Sequence, residues 1–290
     1  MNHLLRRLAA LMCCALMLAP FAVLGEQDHI VELPIDFSPG MPVREKYETG
    51  KMTYDDPSIH VEREYNKAER YHVVRIKIAT PNQLRTVAAE SFNSRAKVEV
   101  STMARRMNAV VAINGDYFSE HPGSFVLRQG QVFRGTVNEN RDILLIDEDG
   151  NFRIILAEEN PGDMDLTQID GKKIINGFEF GPALVRDGIR VQDDSKSPTN
   201  SKPWEDAGRI CICQTGELEY MIVACKYWTM SVSRMTDVVM SFGNVQQAYM
   251  LDGGLSVNVV FLGKKINDTD VTTVRPVPDA IYFASAYDPN

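Results

Sequence analysis

Cysteine is scarce in this chain, five residues in 290, and two of them (Cys13 and Cys14) lie inside an apolar N-terminal run. The remaining three, Cys211, Cys213 and Cys225, are an odd number, which argues against a disulfide scaffold. The five histidines, His3, His29, His60, His72 and His121, show no ligand spacing with these cysteines, so a structural zinc site is not expected. Tryptophan occurs only twice, at Trp204 and Trp228; either ring can stack on a sugar, but packing in the core or a loop is the simpler reading. No repeat of fixed period is present, and after the N-terminus no stretch is apolar enough to span a membrane. Basic charge is also in deficit. Beyond residue 25 the chain carries 29 basic against 39 acidic residues, a balance of −10, which excludes nucleic acid or anionic lipid as the main partner because those are bound largely through Lys and Arg.

The N-terminus has Arg6 and Arg7 ahead of an apolar run from Leu8 to Leu24, then Gly25 before Glu26. This is the layout of a signal peptide cleaved after Gly25, giving a secreted or extracytoplasmic protein. A retained N-terminal anchor is the alternative, disfavoured by the short run and by Pro20 within it. Residues 26–58 mix Pro34, Pro39, Gly40, Pro42 and Gly50 with charges and are expected to form an irregular, loosely packed arm. Residues 59–290 are then long enough for one domain with a substantial core.

Within that domain the pattern is of short strands. Tyr71 to Ile78 alternates apolar and polar residues, and strands are also expected at Leu84 to Ala88, Phe125 to Leu127, Ile143 to Ile146, Phe152 to Leu156, Ala183 to Val185 and Ala280 to Ala284. Glu148-Asp149-Gly150 and Thr215-Gly216-Glu217 mark hairpins, the second joining Arg209 to Gln214 with Leu218 to Cys225. Helices are expected at Ser101 to Met107, capped by Ser101, and after a Ser231 cap, ending at Gly243. Gln192 to Pro203 is rich in Asp, Ser, Lys, Pro and Asn and is expected to be an exposed loop. The fold class is therefore α+β, an extensive mixed or mostly antiparallel sheet with a few helices.

Two turns carry chemistry-bearing residues directly after apolar strands. Asn114-Gly115-Asp116-Tyr117-Phe118 follows Ala109 to Ile113, and Asp252-Gly253-Gly254 follows Ala248 to Leu251. Glycine lets a ligand approach main-chain amides closely, and such amides suit an anion such as phosphate. Asn-Gly and Asp-Gly are also ordinary turn formers, so each turn alone is ambiguous. Two of them at apolar strand ends, one with aromatic Tyr117 and Phe118 beside it, favour a shared binding site. Glu120 and His121 follow the first turn and read more simply as a solvated loop than as a proton-transfer pair.

These motifs, taken with Phe180 to Gly188 (FGPALVRDG), Arg209, Asn267 and Arg275 to Phe283 (RPVPDAIYF), occur in an order that resembles the phosphodiester glycosidase family from about Tyr71 to Phe283. The resemblance implies hydrolysis of a sugar 1-phosphodiester. It places Asp116 and Asp252 as catalytic candidates and Asn114, Arg209, Gly253, Gly254, Ser256 and Arg275 as substrate-binding candidates. Glycoside cleavage ordinarily uses two carboxyls, and arginine offers phosphate a planar fork of donors. A phosphate leaving group needs little protonation, which leaves the acids unassigned between base and nucleophile. For Arg209 and Arg275 the competing reading is a surface salt bridge. The chain departs from the family at Leu255 and Val257, where the turn is usually small and polar, and at Cys213 and Ser124, where glycine is usual.

The implied partner is a sugar phosphodiester or phosphate-containing glycan of the cell envelope or extracellular space, with no nucleic acid and no transmembrane partner. No cofactor is required, although Asn114, Asp116 and Asp252 offer hard oxygen ligands to a divalent cation. Two readings compete with the hydrolase. One is a catalytically silent carbohydrate-binding or envelope-assembly protein, suggested by Leu255 and Val257; the other is an ordinary glycosidase with no phosphate requirement.

Overall fold

The structure is a computed structural model that describes residues 29–43, 50–159, 161–191, 205–225, 230–267 and 275–290. The N-terminal apolar run, the Gln192 to Pro203 segment, Trp204 and Trp228 lie outside the described residues.

Three antiparallel sheets enclose one core. The largest has eight strands: β1 (Thr53–Asp56), β2 (Ile59–Asn66), β3 (Tyr71–Ile78), β12 (Ala183–Arg186), β13 (Ile189–Arg190), β14 (Ile210–Gly216), β15 (Glu219–Cys225) and β16 (Gln247–Met250). Their order across the sheet is β1-β2-β3-β15-β14-β16-β12-β13. A five-stranded sheet, β18-β17-β5-β19-β4, contains β4 (Leu84–Ala88), β5 (Ala109–Asn114), β17 (Val259–Phe261), β18 (Lys264–Lys265) and β19 (Asp279–Ala284). The third sheet runs β7-β6-β11-β8-β9, from β6 (Val126–Arg128), β7 (Gln131–Arg134), β8 (Ile143–Asp147), β9 (Phe152–Ile155) and β11 (Lys172–Glu179), with short β10 (Gln168–Ile169) paired to β11.

Side-chain alternation explains how the sheets stack. Ile210, Ile212 and Ile222 of the large sheet face inward to meet Val111, Ile113, Ile281 and Phe283 of the second sheet and Leu144, Ile146 and Phe178 of the third. Cys211, Cys213 and Val223 point the other way and pack under helix α2 (Val232–Ser241) through Met235, Val238 and Val239. All three cysteines are free thiols in this role. Helix α1 (Val100–Arg106) covers the outer face of the second sheet, where Val100, Met103 and Ala104 meet Ala112, Val260 and Tyr282.

Local chemistry sets the helix ends as expected in one case and not in the other. Ser231 Oγ accepts from Arg234 N at 3.1 Å and Gly243 follows the last turn at φ +77°, as its sequence position implies. Helix α1 begins a residue before Ser101. Its N-cap is Glu99, and Ser101 Oγ donates instead to Glu99 Oε2.

The arm differs from expectation too. Leu33 and Val43 are buried, and the fully buried Arg85 guanidinium donates to the carbonyls of Pro34, Asp36 and Ser38. A buried cation must find acceptors, so residues 34–38 are held firmly against β4 rather than packing loosely.

Candidate active site

Strand β5 lies in the middle of the second sheet and β16 within the first, and their C-terminal ends converge. Asp252 N donates to Gly115 O at 3.3 Å. Asn114 completes the join: its Nδ2 donates to Asp252 O at 2.8 Å, and its Oδ1 accepts from Asn258 N at 3.0 Å. The two turns singled out from the sequence are thus in contact, and Asn114 is the stitch between them. Asn267 does similar work nearby, accepting from Val259 N and donating to Val257 O.

The glycines permit this approach. A Cβ on Gly115 would lie 2.2 Å from Asp279 Oδ2, and one on Gly253 would lie 2.7 Å from Gly208 O. Gly254, at φ +60°, donates its amide to Gly208 O at 2.8 Å, so that amide serves the fold and not an anion. Leu255 is 45% exposed, while Val257 packs in the core. Cys213 faces α2, and Ser124 closes its turn by donating to His121 O at 2.8 Å.

Beneath the turns lies a cluster that the sequence reading did not assemble. Arg128, fully buried, reaches Asp116 Oδ1 at 2.9 Å and Asp279 Oδ2 at 3.4 Å through the same nitrogen. Its guanidinium stacks 4.0 Å above the Phe178 ring and also donates to Gly177 O. Asp116 Oδ2 accepts from Glu179 N at 3.2 Å, so both of its oxygens are engaged. Glu179 accepts from Phe125 N and Asn138 N. Asp279 sits in the RPVPDAIYF stretch and Glu179 just ahead of the FGPALVRDG glycine, yet neither position carried a local sign of its partner.

One guanidinium facing two buried carboxyls leaves a charge imbalance, which is relieved by protons. Burial and the Asp116 charge push Asp279 up to about 8. Burial lifts Glu179 to about 7 and Asp252 to about 6, with Ser256 and Arg275 opposing the shift at Asp252. Asp252 Oδ2, Asp279 Oδ1 and Ser256 Oγ are all buried without a hydrogen-bond partner. Buried polar atoms are rarely left so, and a group of them at one place marks where a ligand completes the bonding.

These shifts have a measurable consequence for stability. Carboxyls in the unfolded chain ionise near pH 4, so between about pH 4 and 8 the folded chain holds more protons than the unfolded one. Raising the pH through that window therefore costs stability. Asp36 and Glu120 shift the other way, held down by Ser38 and Lys97, but both are solvent-exposed and weigh little. The urea midpoint is expected to be higher at pH 5.5 than at pH 8.5; a midpoint that rises across this range would contradict the raised carboxyls.

Cations gather at Tyr117. The Arg275 guanidinium lies 4.5 Å over the Tyr117 ring and donates to its hydroxyl, and Lys97 Nζ lies 4.6 Å from the same ring while pairing with Glu120 at 2.5 Å. Tyr117 holds this position at φ +58°. His121 turns away from Glu120 toward Phe180 and Arg141, with Nδ1 3.4 Å from Arg141 Nη2. Burial and the Arg141 charge lower its pKa. The two residues thus form no proton-transfer pair. Arg141 Nη1 is buried and has no partner, and Arg141 is a further cation, close enough to Glu179 to oppose its rise, that the sequence reading missed. Arg209 is buried below the second turn, where Nε donates to Met230 O and Nη2 to Glu205 O. Its burial removes it from the surface.

The donors do not fit a hard divalent cation. Asn114 Oδ1 and both Asp116 oxygens are already engaged, and a guanidinium touches Asp116. Among the described residues no group of three acidic, histidine or cysteine side chains is placed to hold a metal ion.

No curated protein sequence matches the chain. The structure is similar to the zebrafish N-acetylglucosamine-1-phosphodiester alpha-N-acetylglucosaminidase catalytic domain auto-inhibited by its pro-peptide, at 14% identity and a TM-score of 0.59, covering 83% of this chain and 86% of that one. It is also similar to a hypothetical protein from Synechocystis, at 15% identity and a TM-score of 0.56, covering 78% of this chain and 62% of that one. At such identities the likeness is one of fold. The sequence model of the phosphodiester glycosidases matches residues 107–284, which include both turns, Arg128, Glu179 and Asp279. The chain belongs to the phosphodiester glycosidase family.

Proposed function

We propose that the protein is an exported hydrolase that cleaves the glycosidic bond of a sugar 1-phosphodiester in cell-envelope or extracellular glycans. The observation that carries this reading is the buried Asp252 carboxyl with an unpartnered oxygen, lifted to about 6 and set beside the unpartnered Ser256 hydroxyl. A carboxyl near 6 is ionised at neutral pH and still basic enough to accept a proton. Asp252 acts as base on the attacking water or attacks the anomeric carbon itself. In either case the C1–O bond breaks, its electron pair leaves with the phosphate, and the freed sugar gains a hydroxyl from water.

Asp116, with both oxygens engaged by Arg128 and Glu179 N, is held in place as the second carboxyl of the site. Arg275 and Arg141 face the phosphate, and Arg209 adds charge from below the turn. Gly253 and Gly254 let the turn close over Gly208, and Asn114 holds the two turns together. Export rests on the N-terminal sequence; among the described residues no helix is long and apolar enough to cross a membrane. The silent-binder alternative draws on Leu255 and Val257. Val257 packs in the core, so its bulk does not enter the site.

The test is a product screen with the mature chain, residues 26–290, on a sugar 1-phosphodiester and the matching simple glycoside. The expected result is free sugar from the phosphodiester at a kcat/KM about 100-fold above that for the glycoside, on the order expected from buried charge-assisted contacts to phosphate. Equal rates would make it an ordinary glycosidase. Glycan binding without turnover would make it a silent binder.

A further inference from the structure

A cavity of about 230 Å³ opens beside the first turn. Its walls include Phe92, Ser94, Arg95, Phe118, Ser119 and Arg134. Ser119 is only 8% exposed, and its buried Oγ has no hydrogen-bond partner. Arg134 spends its nitrogens on the carbonyls of His121 and Phe118 and on Ser124 Oγ, and no carboxylate touches it. Arg95 makes no hydrogen bond or ion pair with any described residue, and Glu120, the acid close enough to feel its charge, is taken by Lys97. In a chain of 39 acidic and 31 basic residues, two arginines with no carboxylate partner among the described residues suit this cavity to an anion.

We propose that this cavity holds a second phosphate, carried on the aglycone of the substrate, so that the enzyme acts on a repeating sugar-phosphate chain and not on an isolated diester. The inference rests on the reaction proposed above. Its geometry is favourable: Ser119 follows Asp116 by three positions, a backbone reach of at most about 10 Å, so the cavity wall lies within about one sugar-phosphate repeat of Asp116. Arg134 and Arg95 supply the charge, Ser119 Oγ supplies a donor, and the Phe92 and Phe118 rings give an apolar wall against which the linking sugar or polyol lies.

The experiment has two arms. In the first, the ¹⁵N-labelled mature chain is titrated with inorganic phosphate. The amides of Ser94 and Ser119 are expected to shift saturably in the wild type and to stay still in Arg95→Glu. Amides that do not move, or that move equally in both proteins, would overturn the site. In the second arm, kcat/KM is compared between a sugar phosphodiester bearing a second phosphate on its aglycone and one with a neutral aglycone. Arg95→Glu is expected to lower that ratio about tenfold, and an unchanged ratio would overturn the assignment to the aglycone. Should the wild type hydrolyse no phosphodiester at all, the proposed reaction falls, whereas the phosphate titration still decides the cavity.

Discussion

Replacing Asp252 by Asn is expected to lower kcat on a sugar 1-phosphodiester by about 10²- to 10⁴-fold, the range for loss of a positioned acid-base group. The substitution keeps the shape of the side chain and removes its charge. Asp252 is buried and lifted to about 6, so its ionised form is strained by desolvation and gains by sharing a proton or bonding to carbon. The same reasoning gives the pH dependence. Because the ionised carboxyl is the working form, wild-type kcat is expected to fall as pH drops below about 6, and Asp252→Asn to lose that limb together with the activity. Folding is expected to survive, since an uncharged group replaces a carboxylate with an unpaired oxygen. Circular dichroism and the urea midpoint check that point, and undiminished hydrolysis by a folded Asp252→Asn protein would remove Asp252 from the mechanism.

Replacing Arg128 by Met has its largest expected effect on stability, a loss of about 3–5 kcal/mol, as is usual when one partner of a buried ion cluster is deleted. Methionine keeps much of the apolar contact with Phe178, so the loss reports mainly on charge. Asp116 and Asp279 are left buried without their shared guanidinium. The loss is expected to be greater at pH 8 than at pH 5, where the carboxyls are relieved by protonation. Adding Asp279→Asn to Arg128→Met removes one of the two orphaned acids and is expected to restore part of the stability, a positive coupling that urea unfolding of the four-member cycle measures. Two losses that simply add would place the role of Arg128 in packing rather than in neutralisation.

Much of the framework was legible from the chain. The alternating Tyr71 to Ile78, the uninterrupted Ala109 to Ile113 and the hairpin at Glu148-Asp149-Gly150 all became the strands and turn their patterns imply. Local chemistry sufficed there, because periodicity and turn residues act over a few positions. Strand β11 and the packing of residues 29–43 were not anticipated. The first lacks a clean alternation, its last six residues all being buried, and the second is held by Arg85, some fifty residues away.

The site divides along the same line. Sequence alone determined that Asn114-Gly115-Asp116 and Asp252-Gly253-Gly254 end apolar strands, because strand patterns and turn-forming residues sit side by side in the chain. It also set the acidic balance that makes a few arginines stand out. Tertiary structure alone decided that these turns touch through Asn114, that Asp116 shares Arg128 with Asp279, and that Asp252 and not Asp116 keeps an oxygen unengaged. Arg128 and Asp279 are 151 residues apart, and a carboxyl's proton affinity depends on burial and on the charges within a few ångströms. Neither quantity exists until the three sheets have closed on their common core.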